Sequence, residues 1–160
     1  MRSKGNLAVL AALMVGRLSC SSAVAAEQTL EFKLVVKQYD QKALEVANVP
    51  GQVVTEAKAF GVGIFKDGKI ASKDFIVVLD LNKGVGPIFG YSTYTFEDGS
   101  TITARFSADF KPNQPVHGEY KILSGTGAYS GATGTGTMDS IPHKFKDANM
   151  FNIKLNVATP

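Results

Sequence analysis

The sequence predicts an all-β protein, either an antiparallel barrel or a sandwich of seven or eight strands. Three observations lead to this prediction. Several segments alternate apolar and polar residues with a period of two, which is the pattern of half-buried strands. Two Asp-Gly pairs, Asp67-Gly68 and Asp98-Gly99, separate such segments and favour tight hairpins. No long segment shows a helical period, so the strands are expected to carry the whole fold.

The first half of the chain contains three predicted strands. Residues Leu30–Val36 place leucine, phenylalanine and valine opposite charged residues, and Lys58–Phe65 alternates aromatic or aliphatic residues with glycines. The Asp-Gly turn then leads into Ile70–Leu81, whose middle, Phe75–Leu79, is apolar on both faces. Residues 40–56 are mixed, with Pro50-Gly51 as a turn.

The second half supplies the remaining strands. Ile88–Phe96 is rich in aromatic and β-branched residues, and Thr101–Phe110 alternates cleanly after the second Asp-Gly turn. Val116–Leu123 precedes a glycine-rich stretch, and Asn149–Val157 closes the chain with apolar residues in step. One domain without repeats or linkers is therefore expected.

The N-terminus resembles a secretory signal. A basic start at Arg2 and Lys4 precedes an apolar stretch, Leu7–Val15, and small residues follow up to Ala26. We therefore predict a signal peptide at 1–26, a barrel domain at 27–160, and export to the periplasm or the extracellular space. The apolar stretch is shorter than the roughly 20 residues of a membrane span, so no transmembrane segment is expected in the mature chain. Lipidation of Cys20 is left as an alternative.

Charge and cysteine content exclude several classes of function. The chain has 17 basic and 14 acidic residues, and three basic ones (Arg2, Lys4 and Arg17) lie in the predicted signal, so the mature chain carries 14 of each sign. A neutral chain with one arginine, Arg105, makes nucleic acid an unexpected partner. The only cysteine leaves with the signal, so an apolar core and not disulfides must stabilise the fold.

The glycine-rich stretch GTGAYSGATGTGT, Gly125–Thr137, raises the question of a phosphate-binding loop. A dinucleotide loop needs G-x-G-x-x-G at the start of a helix, but Ser130 occupies the third glycine position, and no P-loop lysine follows. Glycines in strands and tight turns instead allow bulges and close backbone approach. The stretch is therefore predicted to be a structural hairpin built on Gly125, Gly127, Gly131, Gly134 and Gly136.

The segment EYKILSGTGAYSGATG, Glu119–Gly134, resembles the signature hairpin of the allene oxide cyclase and dirigent barrel superfamily, and the turn Phe96–Ser100 resembles the hairpin upstream of it. The resemblance implies an eight-stranded antiparallel β-barrel, a homotrimer, and an elongated cavity for a hydrophobic small molecule. It further implies steering of cyclisation or isomerisation without a cofactor. Whether this chain is an enzyme is left open.

The catalytic residues of the family do not transfer to this chain. Plant allene oxide cyclases carry a glutamate and an asparagine on the first strand, and in the favoured register Val35 and Lys37 stand in their places. No catalytic residue is therefore assigned. The candidate ligand-binding residues are Tyr91, Tyr94, Arg105, Asp109 and Tyr120.

Each candidate has a structural alternative. Arg105 and Asp109 share one face of an alternating strand, so they are either a cavity charge pair or part of a solvated outer face. Tyr91 and Tyr94 fall on opposite faces, so at most one of them lines a cavity. With two histidines, His117 and His143, and no cysteine in the mature chain, no metal site is expected.

Three functions remain open. The barrel is a carrier that binds a hydrophobic small molecule, or a cofactor-free cyclase or isomerase acting in the same cavity, or a structural or interaction barrel with a core filled by side chains. Glycines 61, 63, 90, 125 and 127 favour an open interior because they remove side-chain volume. The outer face of the doubly apolar run Phe75–Leu79 is either covered by a loop or the C-terminal segment or forms a subunit interface, and the resemblance to a family of trimers favours the interface.

Overall fold

The computed structural model describes residues 26–160, which form a closed antiparallel barrel of eight strands. The strands follow each other around the barrel in sequence order, and β8 closes it against β1. Their bounds are β1 Ala26–Glu45, β2 Gln52–Phe65, β3 Ile70–Asn82, β4 Gly86–Phe96, β5 Thr101–Phe110, β6 His117–Thr126, β7 Thr133–Ser140 and β8 Asn149–Thr159. The predicted eight-stranded barrel is confirmed. The predicted signal peptide lies outside the described residues, except for Ala26, where β1 begins.

Alternation decides which side chains fill the barrel. On β5, Ile102, Ala104 and Phe106 are buried inside, while Thr103 and Arg105 point outwards. The same parity holds on β1, where every second residue from position 30 to position 36 is buried. Burial of these apolar side chains is the main stabilising term of the fold.

The β1–β2 hairpin is longer than the sequence predicts. Gln41 pairs with Ala57 and Glu45 pairs with Val53, and a register shift follows Tyr39, next to Asp40 at φ 51°. The residues of this extension on β1 are exposed, so their strand conformation depends on backbone pairing and not on burial. Periodicity of hydrophobic residues gives no sign of such a segment.

The inward-facing glycines do not leave open space. A Cβ at Gly63 would lie 2.8 Å from the Phe32 ring, and one at Gly61 would lie 2.8 Å from Val36. At Gly90 it would meet the Phe106 ring at 2.5 Å. Large side chains from neighbouring strands therefore occupy the volume that these glycines vacate, and the expectation that the glycines open the interior is wrong.

The glycine-rich stretch forms the end of β6, a single 3₁₀ turn at Gly127–Tyr129 and the start of β7. Gly127 and Gly131 have φ of 59° and 72°, a conformation that favours glycine. A Cβ at Gly125 would collide with the backbone carbonyl of Tyr129. The stretch is thus a tight connection between two strands, and no helix follows it.

The outer face of β2–β4 carries exposed apolar side chains. The exposed ones include Phe60, Ile64, Ile76 and Tyr91, each more than two fifths accessible to solvent. In the run Phe75–Leu79, side chains alternate between the interior and this outer face.

Within residues 26–160, no helix is long and apolar enough to cross a membrane.

Candidate functional site

A pocket of about 760 Å³ lies at one end of the barrel. It is bounded by the β2–β3 turn, the β4–β5 turn and the 3₁₀ turn after β6, and the apolar residues of its walls and floor are Leu30, Phe65, Ile70, Phe96 and Tyr129. Charged residues surround these walls, namely Glu31, Lys66, Asp67, Lys69, Glu97 and Asp98. The arrangement joins an aromatic floor to a polar rim, which is the usual composition of a small-molecule site.

The two Asp-Gly turns hold the rim in place. Gly68 and Gly99 have φ of 86° and 80°, which glycine adopts without strain. The Asp98 carboxylate accepts hydrogen bonds from the Ser100 hydroxyl at 2.6 Å and from the Ser100 backbone N–H at 2.9 Å, and these bonds lower its pKa below 3.8. The rim therefore keeps a fixed negative charge at this turn.

Three aromatic rings form the floor of the pocket. The rings of Tyr129 and Phe96 are 4.7 Å apart, and Phe96 and Phe65 are 6.3 Å apart. Phe65 in turn lies 4.7 Å from Phe32, which contacts Tyr94 edge-on at 5.5 Å. A continuous run of aromatic contacts thus connects the pocket to the centre of the barrel.

Lys73 lies at the centre of the barrel, at the inner end of this run. The residue is only 2% exposed, and its Nζ lies 4.3 Å from the ring centroid of Phe75, 5.0 Å from Phe106, 5.1 Å from Tyr120 and 5.2 Å from Tyr94. The amine is 2.8 Å from the Tyr120 hydroxyl, which also receives a hydrogen bond from the Tyr94 hydroxyl at 3.2 Å. One amine and two phenols thus form a polar network inside an aromatic cage.

Burial controls the protonation of this network. Desolvation lowers the pKa of Lys73 from 10.5 to about 7, because the charged ammonium loses its hydration inside the barrel. The same desolvation raises the pKa of Tyr120 and of Tyr94 well above 10, so both phenols remain protonated. Near neutral pH the amine is therefore balanced between its two forms beside two proton donors.

The structure separates the candidate residues that the sequence grouped. Tyr94 and Tyr120 are buried inside the barrel, where both contact Lys73. Tyr91, Arg105 and Asp109 face outwards, so they do not line the interior. The outer-face alternative considered for Arg105 and Asp109 describes their position.

Val35 and Lys37, which stand in the register of the plant cyclase pair, also lie on the outer face of β1. Neither side chain can act in the interior from there. Among residues 26–160, no three histidine, cysteine, aspartate or glutamate side chains are grouped as a metal site would require.

Sequence reasoning missed Lys73. The residue has the same strand parity as Ala71, Phe75 and Val77, so it is a single lysine on an otherwise apolar face. That parity was the available signal. The signal was weak because Phe75–Leu79 is apolar on both faces, so the sequence does not show which face of β3 points into the barrel.

Comparison with solved structures finds proteins with a similar fold. The pterocarpan synthase dirigent protein GePTS1 is similar with a TM-score of 0.60 and 17% identity, covering 84% of this chain and 90% of that one. The pterocarpan synthase dirigent protein PsPTS1 gives a TM-score of 0.58 and 16% identity, covering 82% and 94%. A protein of unknown function from the DUF3224 family of Shewanella oneidensis MR-1 gives a TM-score of 0.54 and 11% identity, covering 81% of this chain and 96% of that one. No protein-family model and no curated protein matches the sequence. The chain has a dirigent-like barrel fold.

Proposed function

We propose that this barrel binds an apolar, ring-containing small molecule in the pocket at its end and steers the cyclisation or isomerisation of that molecule without a cofactor. The observation that carries the proposal is the aromatic floor of Phe65, Phe96 and Tyr129 beneath a charged rim. A volume of about 760 Å³ is in the range of small-molecule sites.

The floor fits a flat apolar ligand because aromatic rings offer both faces and edges for stacking. On the rim, Lys69 forms an ion pair of 2.8 Å with Asp67. Such groups orient the polar end of a ligand whose apolar part lies on the floor. Tyr94 and Tyr120 lie beneath the floor, and the ring contacts from Phe32 to Tyr94 and from Tyr94 to Tyr120 connect the pocket to Lys73.

Steering needs a fixed pocket and not a reactive group, since holding one conformer of a substrate favours one product. The turns that bound the pocket are short and anchored on strands, which keeps its walls in place. The dirigent fold supports this proposal because two of its similar structures are described as pterocarpan synthase dirigent proteins.

One observation favours the alternative, a structural or interaction barrel with a filled core. Phe32, Val36 and Phe106 occupy the space next to the inward glycines, so ligand binding deep in the barrel requires side chains to move. The two functions differ in where an apolar molecule binds. In the proposed function it binds in the end pocket, and in the alternative it binds only to the exposed apolar side chains of the outer face.

Binding of 1-anilinonaphthalene-8-sulfonate, measured by fluorescence, distinguishes these functions. Replacement of a floor ring by Phe96→Ala or Tyr129→Ala is expected to weaken binding about tenfold, because one aromatic contact is lost. Tyr91→Ala is the matched control, since it removes an exposed ring of similar size from the outer face. Binding that is lost in Tyr91→Ala and retained in both floor variants would contradict the proposal.

Self-association and export are further parts of the proposal. The exposed apolar side chains Phe60, Ile64 and Ile76 on β2 and β3 support self-association, because a surface of this kind is stabilised by burial against another copy, and the resemblance to dirigent barrels implies a homotrimer. Sedimentation analysis is expected to give three chains per particle, and a monomer at micromolar concentration would contradict this. If the chain is exported and its signal peptide is removed, the intact mass of the secreted protein is expected to correspond to a chain that starts near residue 27.

A further inference from the structure

We propose that Lys73 is a nucleophile that forms an imine with an apolar aldehyde or ketone entering from the end pocket. The inference rests on the proposed function, because the pocket delivers the ligand. It goes further by naming a carbonyl compound as the ligand class and a covalent bond as the outcome.

The surroundings of Lys73 suit this chemistry. Two phenols and two phenyl rings face the amine, from β3, β4, β5 and β6, and none of these groups is ionised at neutral pH. Among the described residues, Lys73 takes part in none of the ion pairs. A buried lysine without a counter-ion loses the hydration of its charge, and this loss costs stability when the amine is protonated.

The amine is available as a nucleophile near neutral pH. Its pKa of about 7 leaves about half of the molecules unprotonated at pH 7, whereas an ordinary lysine at 10.5 has about one in 3,000. Only the unprotonated amine has the lone pair that attacks a carbonyl carbon. Desolvation in an apolar site is one established way of activating a lysine for imine formation.

Tyr120 supplies the proton transfers. The Lys73 nitrogen attacks the carbonyl carbon, the π electrons move to oxygen, and that oxygen takes the Tyr120 hydroxyl proton while the nitrogen gives one back, which leaves a neutral carbinolamine. The carbinolamine hydroxyl then leaves as water with a proton from Tyr120, the nitrogen lone pair forms the C=N bond, and the N–H proton returns to Tyr120. One amine and one carbonyl compound give one imine and one water. The 2.8 Å contact between Nζ and the hydroxyl provides the path for these protons.

The route from the pocket is short. Lys73 pairs with Tyr94 across β3 and β4, and the next inward pair towards the pocket is Ala71 with Phe96. Phe96 is itself a wall of the pocket. Two residues along a strand span about 7 Å, and within this distance the rings of Phe32 and Tyr94 lie between the floor and the amine. Entry of the aldehyde therefore requires the Phe96 and Phe32 rings to rotate, and the small Ala71 presents no long side chain on β3 beside this path.

Reductive trapping tests the inference on the full folded chain. Benzaldehyde and sodium cyanoborohydride are added at pH 7; the reagent reduces any C=N bond to a stable secondary amine, and peptide mass mapping identifies the labelled lysines. Lys73 is expected to be labelled at least about tenfold faster than Lys58 and Lys69, whose pKa values are raised by Asp40 and Asp67. These two exposed lysines are internal controls in the same sample.

Variants separate reactivity from access. Phe96→Ala is expected to increase the labelling rate at Lys73, Tyr120→Phe to decrease it about tenfold, and Lys73→Met to abolish only this label. In denaturant, the preference for Lys73 is expected to disappear. Labelling of Lys58 and Lys69 with an unlabelled Lys73, in both the wild type and Phe96→Ala, would overturn the inference. If the naphthalene probe still bound at the floor in that case, the proposed function would stand while the imine would be refuted.

Discussion

The buried amine makes the stability of the barrel depend on pH in a defined direction. Lys73 has a pKa of about 7 in the folded chain and about 10.5 when unfolding exposes it to water. Between these values the unfolded chain binds a proton that the folded chain does not, so the free energy of unfolding rises as the pH rises. Below pH 7 both states are protonated, and the contribution of Lys73 stays at its most destabilising value.

The size of the effect follows from the two pKa values. Each tenfold difference in proton affinity is worth 1.36 kcal/mol, so the full range amounts to about 5 kcal/mol. Between pH 7 and pH 9.5 the expected gain in the free energy of unfolding is about 3 kcal/mol. In Lys73→Met, which keeps the length and apolar stem of the side chain, this gain is expected to vanish.

Urea denaturation at half-unit steps between pH 7 and pH 9.5, followed by circular dichroism, measures this difference. The interval lies above the range in which carboxylates titrate and below that of ordinary lysines and tyrosines. The matched control is Lys58→Met, which removes an exposed lysine and is expected to leave the wild-type slope. Equal slopes in the wild type and Lys73→Met would refute the account of a neutral buried amine.

Two further predictions concern packing and the buried phenols. Gly90→Ala places a methyl group against the carbonyl of Ile76 and is expected to lower the free energy of unfolding by at least about 2 kcal/mol. Gly68→Ala lies in an open turn and is expected to lower it by about 1 kcal/mol. Thermal and urea unfolding measure both losses, and losses of similar size in the two variants would contradict this prediction. Tyr94 and Tyr120 are expected to ionise only when the barrel unfolds at alkaline pH, so their ultraviolet titration should coincide with the loss of the circular dichroism signal. Ionisation of all tyrosines while the barrel remains folded would contradict their burial.

The sequence predicts the strands because they depend on local signals, which leave a barrel and a sandwich both open, whereas the closed barrel is what the resemblance of Glu119–Gly134 to dirigent barrels implies. Alternation in Thr101–Phe110 specifies which side chains are inside, and the Asp-Gly turns fix where neighbouring hairpins close. These are properties of short segments. The exposed part of the β1–β2 hairpin is missed because it is a strand through backbone pairing alone, which leaves no apolar pattern.

The interior could not be predicted in the same way. The sequence shows that Gly61 and Gly90 lack side chains, but only the pairing of strands shows that Val36 and Phe106 fill the space. Lys73 has the parity of an inward residue, yet its contact with Tyr120 joins residues 47 positions apart. Contacts across the barrel depend on the register of several strands at once, which periodicity does not contain.

The central claim is that an apolar molecule binds at the aromatic end of the barrel. The most direct measurement is a two-dimensional NMR titration of isotope-labelled protein with 1-anilinonaphthalene-8-sulfonate, in which each shifted signal is assigned to a residue. The account predicts that the signals of Leu30, Phe96 and Tyr129 move together and saturate at one probe per chain. Shifts confined to Ile76 and Tyr91 on the outer face, with unchanged signals at the floor, would contradict it.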